Sequence, residues 1–333
     1  MNEHFHRPKT SQGYWHLLLM IALLNVFLVA LLFLESGRAA RAATLCVNPS
    51  GTNGCYSSIQ AAIDAASPGD TISIAAGQYT ANTPIAITKT LTLQGMGPST
   101  IINLLNRNYI DIFDTNGATT LSNLAVQMMP QTGILVSCCS SLILGNIIAT
   151  GNGGGIYNYG RIITATNVAI YTTRGIISQL GAQTTISNST LSSLEEGKYS
   201  GNDRVTLLSS TILLPSTAGA ITAINTIFNG GCGQFVTLTS LGHNIDSGNT
   251  CGLNAAGDMV NTNPLLTPPV SVNGTLVDAL MSNSPAIDAG DDSVCPSTDQ
   301  TGFPRPYGVH CDIGAYEWRP MTFHFYFFPW VSK

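Results

Sequence analysis

The chain has 333 residues and a net charge of −5 at pH 7, and charged residues make up 9% of it, against roughly a quarter in ordinary soluble domains. Its 13 Lys and Arg residues form no basic cluster, which argues against a nucleic-acid partner. Hydrophobic residues account for 44%, which argues against disorder, and the polar positions are mostly Ser, Thr, Asn and Gly, which favour strands and tight turns.

Residues 1–45 have the pattern of an export signal. Arg7 and Lys9 precede an apolar run over residues 17–34, and Ala40-Arg41-Ala42 matches a signal-peptidase site. The run would span about 27 Å as a helix, just short of a hydrocarbon core of about 30 Å. A cleaved signal peptide is therefore favoured over a retained signal-anchor, and either one predicts a secreted or cell-surface protein.

All eight cysteines follow this segment, and an even number in an exported chain indicates disulfides. Cys138 and Cys139 are adjacent, and we expect them to be free or alternately paired. No cysteines or histidines have the close spacing of a metal site, so no metal or cofactor is expected. Proximity along the chain predicts three bonds: Cys46–Cys55, Cys232–Cys251 and Cys295–Cys311.

Residues 58–66 predict a short amphipathic helix, within a cap over residues 56–66, because Ile59, Ala62, Ile63 and Ala66 would share one face. A strand is predicted directly after it, over residues 71–74. A helix in this position would cover the exposed edge of a sheet and prevent edge-to-edge aggregation.

The central part of the chain repeats with a period of about 21 residues. Each repeat is marked by a glycine and by a small polar residue. The polar residue follows each of the first four glycines after 12 or 13 residues. A unit of this length cannot bury its own apolar face, so it must stack on copies of itself. The glycine markers are Gly133, Gly155, Gly175, Gly197 and Gly219, and the polar markers are Asn123, Asn146, Asn167, Asn188, Ser209 and Asn225.

The repeats therefore predict an all-β fold, a parallel β-helix (solenoid) with a short N-terminal capping helix. Ile134, Ile156 and Ile176 should stack inside it, and Val126, Ile170 and Leu191 should also point inward. A ladder of amide hydrogen bonds is expected at one turn, as in stacked cross-β arrays. Its predicted members are Asn123, Asn146, Asn167 and Asn188.

Several segments resemble known families. Residues 55–72 (CYSSIQAAIDAASPGDTI) with 76–79 (AGQY) resemble the opening of pectin-lyase-like right-handed β-helix proteins, and residues 123–228 resemble parallel β-helix repeats. This resemblance implies a right-handed helix and an exported, surface-associated protein, and it implies no established reaction. Four later segments resemble the choice-of-anchor Q domain of exported bacterial proteins: 240–245 (SLGHNI), 284–290 (SPAIDAG), 299–306 (DQTGFPRP) and 311–317 (CDIGAYE).

We find no catalytic constellation in the sequence, and no catalytic residue is assigned. Charged residues cluster once, in a predicted solvated loop with Glu195, Glu196, Lys198, Asp203 and Arg204, for which a binding or catalytic role is the alternative. His243 is interpreted as a turn residue. A group of aspartates is interpreted as turn caps, with calcium binding as the alternative. Its members are Asp288, Asp291, Asp292 and Asp299.

The predicted organisation has four parts: an export segment (1–45), a β-helix with its cap (46–240), the end of the helix with the choice-of-anchor Q-type region (241–318), and an aromatic tail (319–333). The tail is predicted either to form a capping strand or to act as a surface-retention signal. We expect a non-catalytic protein that is adhesive, glycan-contacting or structural, with a polysaccharide or envelope surface as partner. Membrane contact is expected only through the N-terminal segment or the tail. A polysaccharide lyase or glycoside hydrolase is the alternative.

Overall fold

The computed structural model describes residues 42–113, 116–137, 140–196, 202–216, 219–233 and 236–320, together with residues 20, 21, 23 and 24. The body is an all-β parallel solenoid, which confirms the predicted fold class. Among these residues no helix combines the length and apolarity that crossing a bilayer requires. Nearly all of the predicted export segment, Cys138, Cys139 and residues 321–333 of the tail lie outside the described residues.

Two parallel sheets wrap around a common core, and a short antiparallel hairpin follows them. The larger sheet contains β1 (Thr44–Val47), β2 (Thr71–Ile74), β3 (Gly77–Ala81), β5 (Thr92–Gln94), β6 (Thr100–Leu104), β8 (Ala118–Met128), β10 (Ser141–Thr150), β12 (Ile162–Thr166), β13 (Ala169–Tyr171), β15 (Gln183–Ser187), β16 (Thr190–Leu191), β18 (Arg204–Leu208), β19 (Thr211–Ile212), β20 (Ala220–Ile224), β21 (Ile227–Phe228), β22 (Thr237–Ser240) and β23 (Ile245–Asp246). The smaller sheet contains β4 (Ile85–Ile87), β7 (Tyr109–Ile112), β9 (Gly133–Val136), β11 (Gly155–Tyr159), β14 (Ile176–Gln179) and β17 (Leu194–Glu196). The hairpin consists of β24 (Val270–Val272) and β25 (Thr275–Val277).

The core is a set of stacked aliphatic rows. Ile134, Ile156 and Ile176 are register partners on β9, β11 and β14, and all three are fully buried, as predicted. Val126, Ile170 and Leu191 are also fully buried. Because consecutive strand residues point to opposite faces, every second residue of the longer strands enters the core and the residues between them point away from it.

The helix α1 (Ile59–Ala65) lies at the N-terminal end and buries Ile59, Ala62 and Ile63, in agreement with the predicted cap. The Gln60 side chain accepts a hydrogen bond from the Ala86 backbone N–H at 2.8 Å and donates to the Ala86 carbonyl at 3.2 Å. Gln60 thus pairs with the outermost strand of the smaller sheet, β4, much as another strand would. This pairing satisfies backbone groups that would otherwise form an open sheet edge.

The repeated asparagines occupy one left-handed backbone position in successive coils. The φ angles of Asn123, Asn146, Asn167 and Asn188 are 54° to 55°, in the region that asparagine tolerates better than most residues. Each amide nitrogen donates to the preceding side-chain oxygen, at 2.9 Å from Asn146 to Asn123, 3.2 Å from Asn167 to Asn146 and 2.6 Å from Asn188 to Asn167.

The solenoid begins two residues before the predicted start at Cys46, because β1 (Thr44–Val47) pairs with β2 from Thr44 onward. The three predicted disulfides are present and indicate an oxidising environment. After β23 the chain adds one more parallel bridge to the stack, between Ile245 and Met259. It then packs along the flank of the solenoid, where Tyr171 Oη donates to Asp278 Oδ2 at 2.5 Å. We call residues 270–317 the return segment.

Candidate functional site

Three tyrosines stand on the solvent side of the smaller sheet. Tyr157 and Tyr159 are two residues apart on β11, and their rings stack with centroids 6.4 Å apart and planes inclined by 13°. Tyr109 projects from β7 on the same side, because Ile110 beside it points into the core. Burial, with smaller contributions from Tyr157 and Tyr159, raises the pKa of Tyr109. We call this surface, with its flanking charged residues Asp111, Arg174 and Glu195, the tyrosine face.

Two glycines make room for the Tyr157 ring. A β-carbon on Gly133 would lie 3.2 Å from Cε2 of Tyr157, and one on Gly154 would collide with the Tyr157 hydroxyl group. The Tyr157 ring therefore packs against the backbone of glycines, where no side chain intervenes. The repeat glycines have a further packing cause, the backbone of the next coil: a β-carbon on Gly133 would collide with the Gly155 carbonyl oxygen, and one on Gly155 would collide with the Gly175 carbonyl oxygen.

An ion pair borders the tyrosines. Arg174 Nε lies 2.7 Å from Glu195 Oε2, and the two side chains are 46% and 23% exposed. Hydrogen bonding to Glu195, helped by the nearby Tyr157 hydroxyl, raises the pKa of Arg174. Arg174 is thus firmly protonated and serves as a hydrogen-bond donor.

The two carboxylates of the face are too far apart to act together. Asp111 and Glu195 belong to one outward row, with Leu135, Tyr157 and Ile177 as the intervening register partners. Four strand separations amount to about 19 Å. Paired glycosidase carboxylates lie about 5–9.5 Å apart, so Asp111 and Glu195 do not form such a pair.

The predicted solvated loop is wrong for Asp203. Asp203 is 3% exposed, and its Oδ1 accepts a hydrogen bond from the backbone N–H of Ala182 at 2.7 Å. The Asp203 carboxylate thus satisfies a backbone N–H group one coil earlier, which is a structural role. Glu195 belongs to β17 and Arg204 to β18, which lie in different sheets, and Lys198 lies outside the described residues.

His243 and the C-terminal aspartates serve the backbone. His243 adopts a positive φ of 53°, and its Nδ1 lies 2.7 Å from the Ala289 carbonyl oxygen. Among the described residues, no group of three or more His, Cys, Asp or Glu side chains is placed to hold a metal ion. Each aspartate of the predicted group accepts backbone N–H hydrogen bonds: Asp288 from Val309 and His310, Asp291 from Ser293, Asp292 from Cys311, and Asp299 from Thr301, Phe303 and Glu317.

A cleft of about 250 Å³ separates the asparagine ladder from the return segment. Among the described residues that line it, the polar groups are amides, hydroxyls and backbone groups, and none of the side chains is titratable. The polar side chains that line it are Asn123, Asn146, Asn167, Asn273, Thr275, Gln300 and Thr301.

No family model matches this chain, and a search of curated proteins finds no relative. The function is therefore inferred from the fold and from the geometry of the tyrosine face.

Sequence reasoning missed the tyrosine face. Tyr157 and Tyr159 are two residues apart, and in a strand that spacing places them on one side. Tyr109 is 48 residues before Tyr157, and only the coil-by-coil register brings it to the same surface.

Proposed function

We propose that this is an exported, surface-associated β-helix protein that binds glycans on the tyrosine face without cleaving them. The observation that carries the proposal is the stacked pair Tyr157 and Tyr159 beside the Arg174–Glu195 ion pair. A sugar ring has an apolar face of C–H groups that packs on an aromatic ring, and hydroxyl groups that pair with guanidinium and carboxylate groups. Half-exposed tyrosines with charged neighbours provide both kinds of contact.

The electrostatics of the face favour binding over cleavage. A lyase needs an unprotonated base that accepts a proton from the sugar, and the raised pKa of Arg174 opposes that role. A hydrolase needs two carboxyl groups close together, and about 19 Å separates Asp111 from Glu195.

The C-terminal part supports the export and surface role. The segments that resemble the choice-of-anchor Q domain pack against each other: the Asp288 backbone N–H donates to Asp312 Oδ1 at 2.8 Å, and the Glu317 backbone N–H donates to Asp299 Oδ2 at 3.1 Å. We propose that they form one such domain and that residues 1–45 direct export. The three disulfides accord with that route.

Affinity electrophoresis in native gels containing polygalacturonate, xylan or β-glucan tests this function. At least one polysaccharide should retard the protein, and the double variant Tyr157→Ala, Tyr159→Ala should migrate freely. Tyr307→Ala is the matched control, because Tyr307 is an exposed tyrosine away from the face, in contact with Arg319.

The same polysaccharides, incubated with the purified protein with and without calcium, should release no new reducing ends and no unsaturated uronates. Release of either product, lost in the double tyrosine variant, would establish the enzyme alternative. Equal retardation of the double variant and the wild type would place the glycan elsewhere.

A further inference from the structure

A single row of threonines runs along the solvent side of the larger sheet. The strand pairings link ten positions, one on each strand, without any slip in register, and nine of the ten are threonine. We call this the threonine row; its members are Thr44, Thr71, Thr92, Thr120, Ile143, Thr164, Thr185, Thr206, Thr222 and Thr239.

The hydroxyl groups of the row are available. The row faces outward because the residues beside it, such as Leu121, Ile163 and Ile186, are fully buried in the core. Thr164, Thr185 and Thr206 are exposed on three successive strands. Within the described part of the chain, none of the nine threonine side chains makes a hydrogen bond to another protein group.

Strand structure alone does not account for the row. Threonine favours strands, but the next outward row, two residues earlier, is mixed: Ala118, Ser141, Ile162, Gln183, Arg204, Ala220 and Thr237. Threonines opposite each other also stabilise sheets through hydrogen bonds between them, and no such bond forms between the described threonines of this row. The recurrence of threonine at this one register position is therefore explained neither by its strand propensity nor by hydrogen bonds between neighbouring strands.

The geometry imposes a regular spacing on these groups. Neighbouring strands lie about 4.8 Å apart, so the hydroxyl and methyl groups repeat at that interval over about 43 Å. The row itself carries no charge over its whole length. A ligand that matches it must be uncharged and must repeat its hydrogen-bonding groups at nearly the same interval over many units.

We propose that the threonine row binds ice. Water oxygens in hexagonal ice repeat along the basal plane at a separation close to that between β-strands. Each threonine hydroxyl donates and accepts hydrogen bonds, as a lattice water does, and the methyl groups between them leave the adjoining waters free to bond to each other. A charged side chain would instead orient its hydration water around itself.

The test measures thermal hysteresis and the inhibition of ice recrystallisation by the purified protein. The wild type should show both, and Thr185→Lys, in the middle of the row, should abolish them. Thr185→Val keeps the shape and strand preference of the side chain and should lower the hysteresis through loss of one hydroxyl. Gln127→Lys adds the same charge at an exposed position outside the row, on β8, and should retain full activity.

Thermal melts establish that each variant is folded. The absence of hysteresis in the wild type, or equal losses in Thr185→Lys and Gln127→Lys, would overturn the proposal. Retention of the wild type on crystalline cellulose but not on ice would also overturn it and would identify a solid glycan as the partner. The double variant Tyr157→Ala, Tyr159→Ala should keep its hysteresis, so this proposal and the glycan-binding function succeed or fail separately.

Discussion

Arg305 Nη1 lies 3.3 Å from Glu317 Oε2, and the two side chains are 0% and 1% exposed. Arg305 also donates to the carbonyls of Asp312 at 2.9 Å and Gly314 at 2.7 Å. Glu317 accepts further hydrogen bonds from the backbone N–H groups of Tyr307 and Asp312. This pair joins separate parts of the return segment, so its loss should loosen that whole segment.

Glu317→Gln should therefore be strongly destabilising, because it leaves the Arg305 charge buried without its partner. A loss of about 3–5 kcal/mol in the free energy of unfolding is expected from urea denaturation. Glu195→Gln breaks the exposed pair with Arg174 and should change stability by less than about 1 kcal/mol. Similar losses in the two variants would show that burial does not set the strength of these pairs.

Asp312 should make the protein less stable as the pH rises from about 4 to about 7. Burial raises the pKa of Asp312 from its ordinary 3.8 to about 7, against the opposing effect of N–H donors from Trp318 and Asp288. Within that window the folded state binds more protons than the unfolded state, so stability is highest below the window and falls by at most about 1.4 kcal/mol per pH unit through it.

Thermal melts across this pH range check the effect, and Asp312→Asn should make the dependence shallower. Burial also raises the pKa of Asp111 and Asp278, which act with the same sign, so the dependence should not vanish. A wild-type melting temperature that rises steadily between pH 4 and 7 would contradict the assignment.

The asparagine ladder should stabilise the solenoid more at its buried end. Asn188 is 2% exposed and also donates to the Thr298 carbonyl at 2.9 Å, whereas Asn146 is exposed. Substitution by glycine removes the amide and accommodates the positive φ, so it isolates the hydrogen bonds from backbone strain. We expect Asn188→Gly to lower the free energy of unfolding by about 1–3 kcal/mol and Asn146→Gly by clearly less. If denaturant titrations show equal losses of unfolding free energy in the two variants, the buried end of the ladder does not contribute more than the exposed end.

The sequence predicted the coils because their signals are local and repeated. The polar marker of each coil sits at a left-handed turn, and the shared φ near 54° explains why asparagine recurs there. The same periodicity placed Ile134, Ile156 and Ile176 in one row. The threonine row was not predicted, because only the register through coils of unequal length aligns its members.

The return segment and the tyrosine face could not be predicted in this way. Contacts such as Tyr171–Asp278 and Asn188–Arg305 join residues 107 and 117 positions apart and follow no period. The position of the Tyr157 ring depends on the absence of a side chain at Gly154, which no composition or spacing rule reveals.

The predicted loop would leave Asp203 in solvent, whereas the structure buries it. Asp203→Ala should lower the free energy of unfolding by about 1–3 kcal/mol, because the Ala182 N–H loses its partner in a buried position. Asp203→Asn keeps a side-chain acceptor and should recover most of that loss. Glu195→Ala should change stability by less than about 1 kcal/mol, since its pair with Arg174 is exposed. Urea titrations of the three variants decide the matter: if Asp203→Ala is as stable as the wild type, the carboxylate is solvated, and the hydrogen bond to Ala182 does not hold the two coils together.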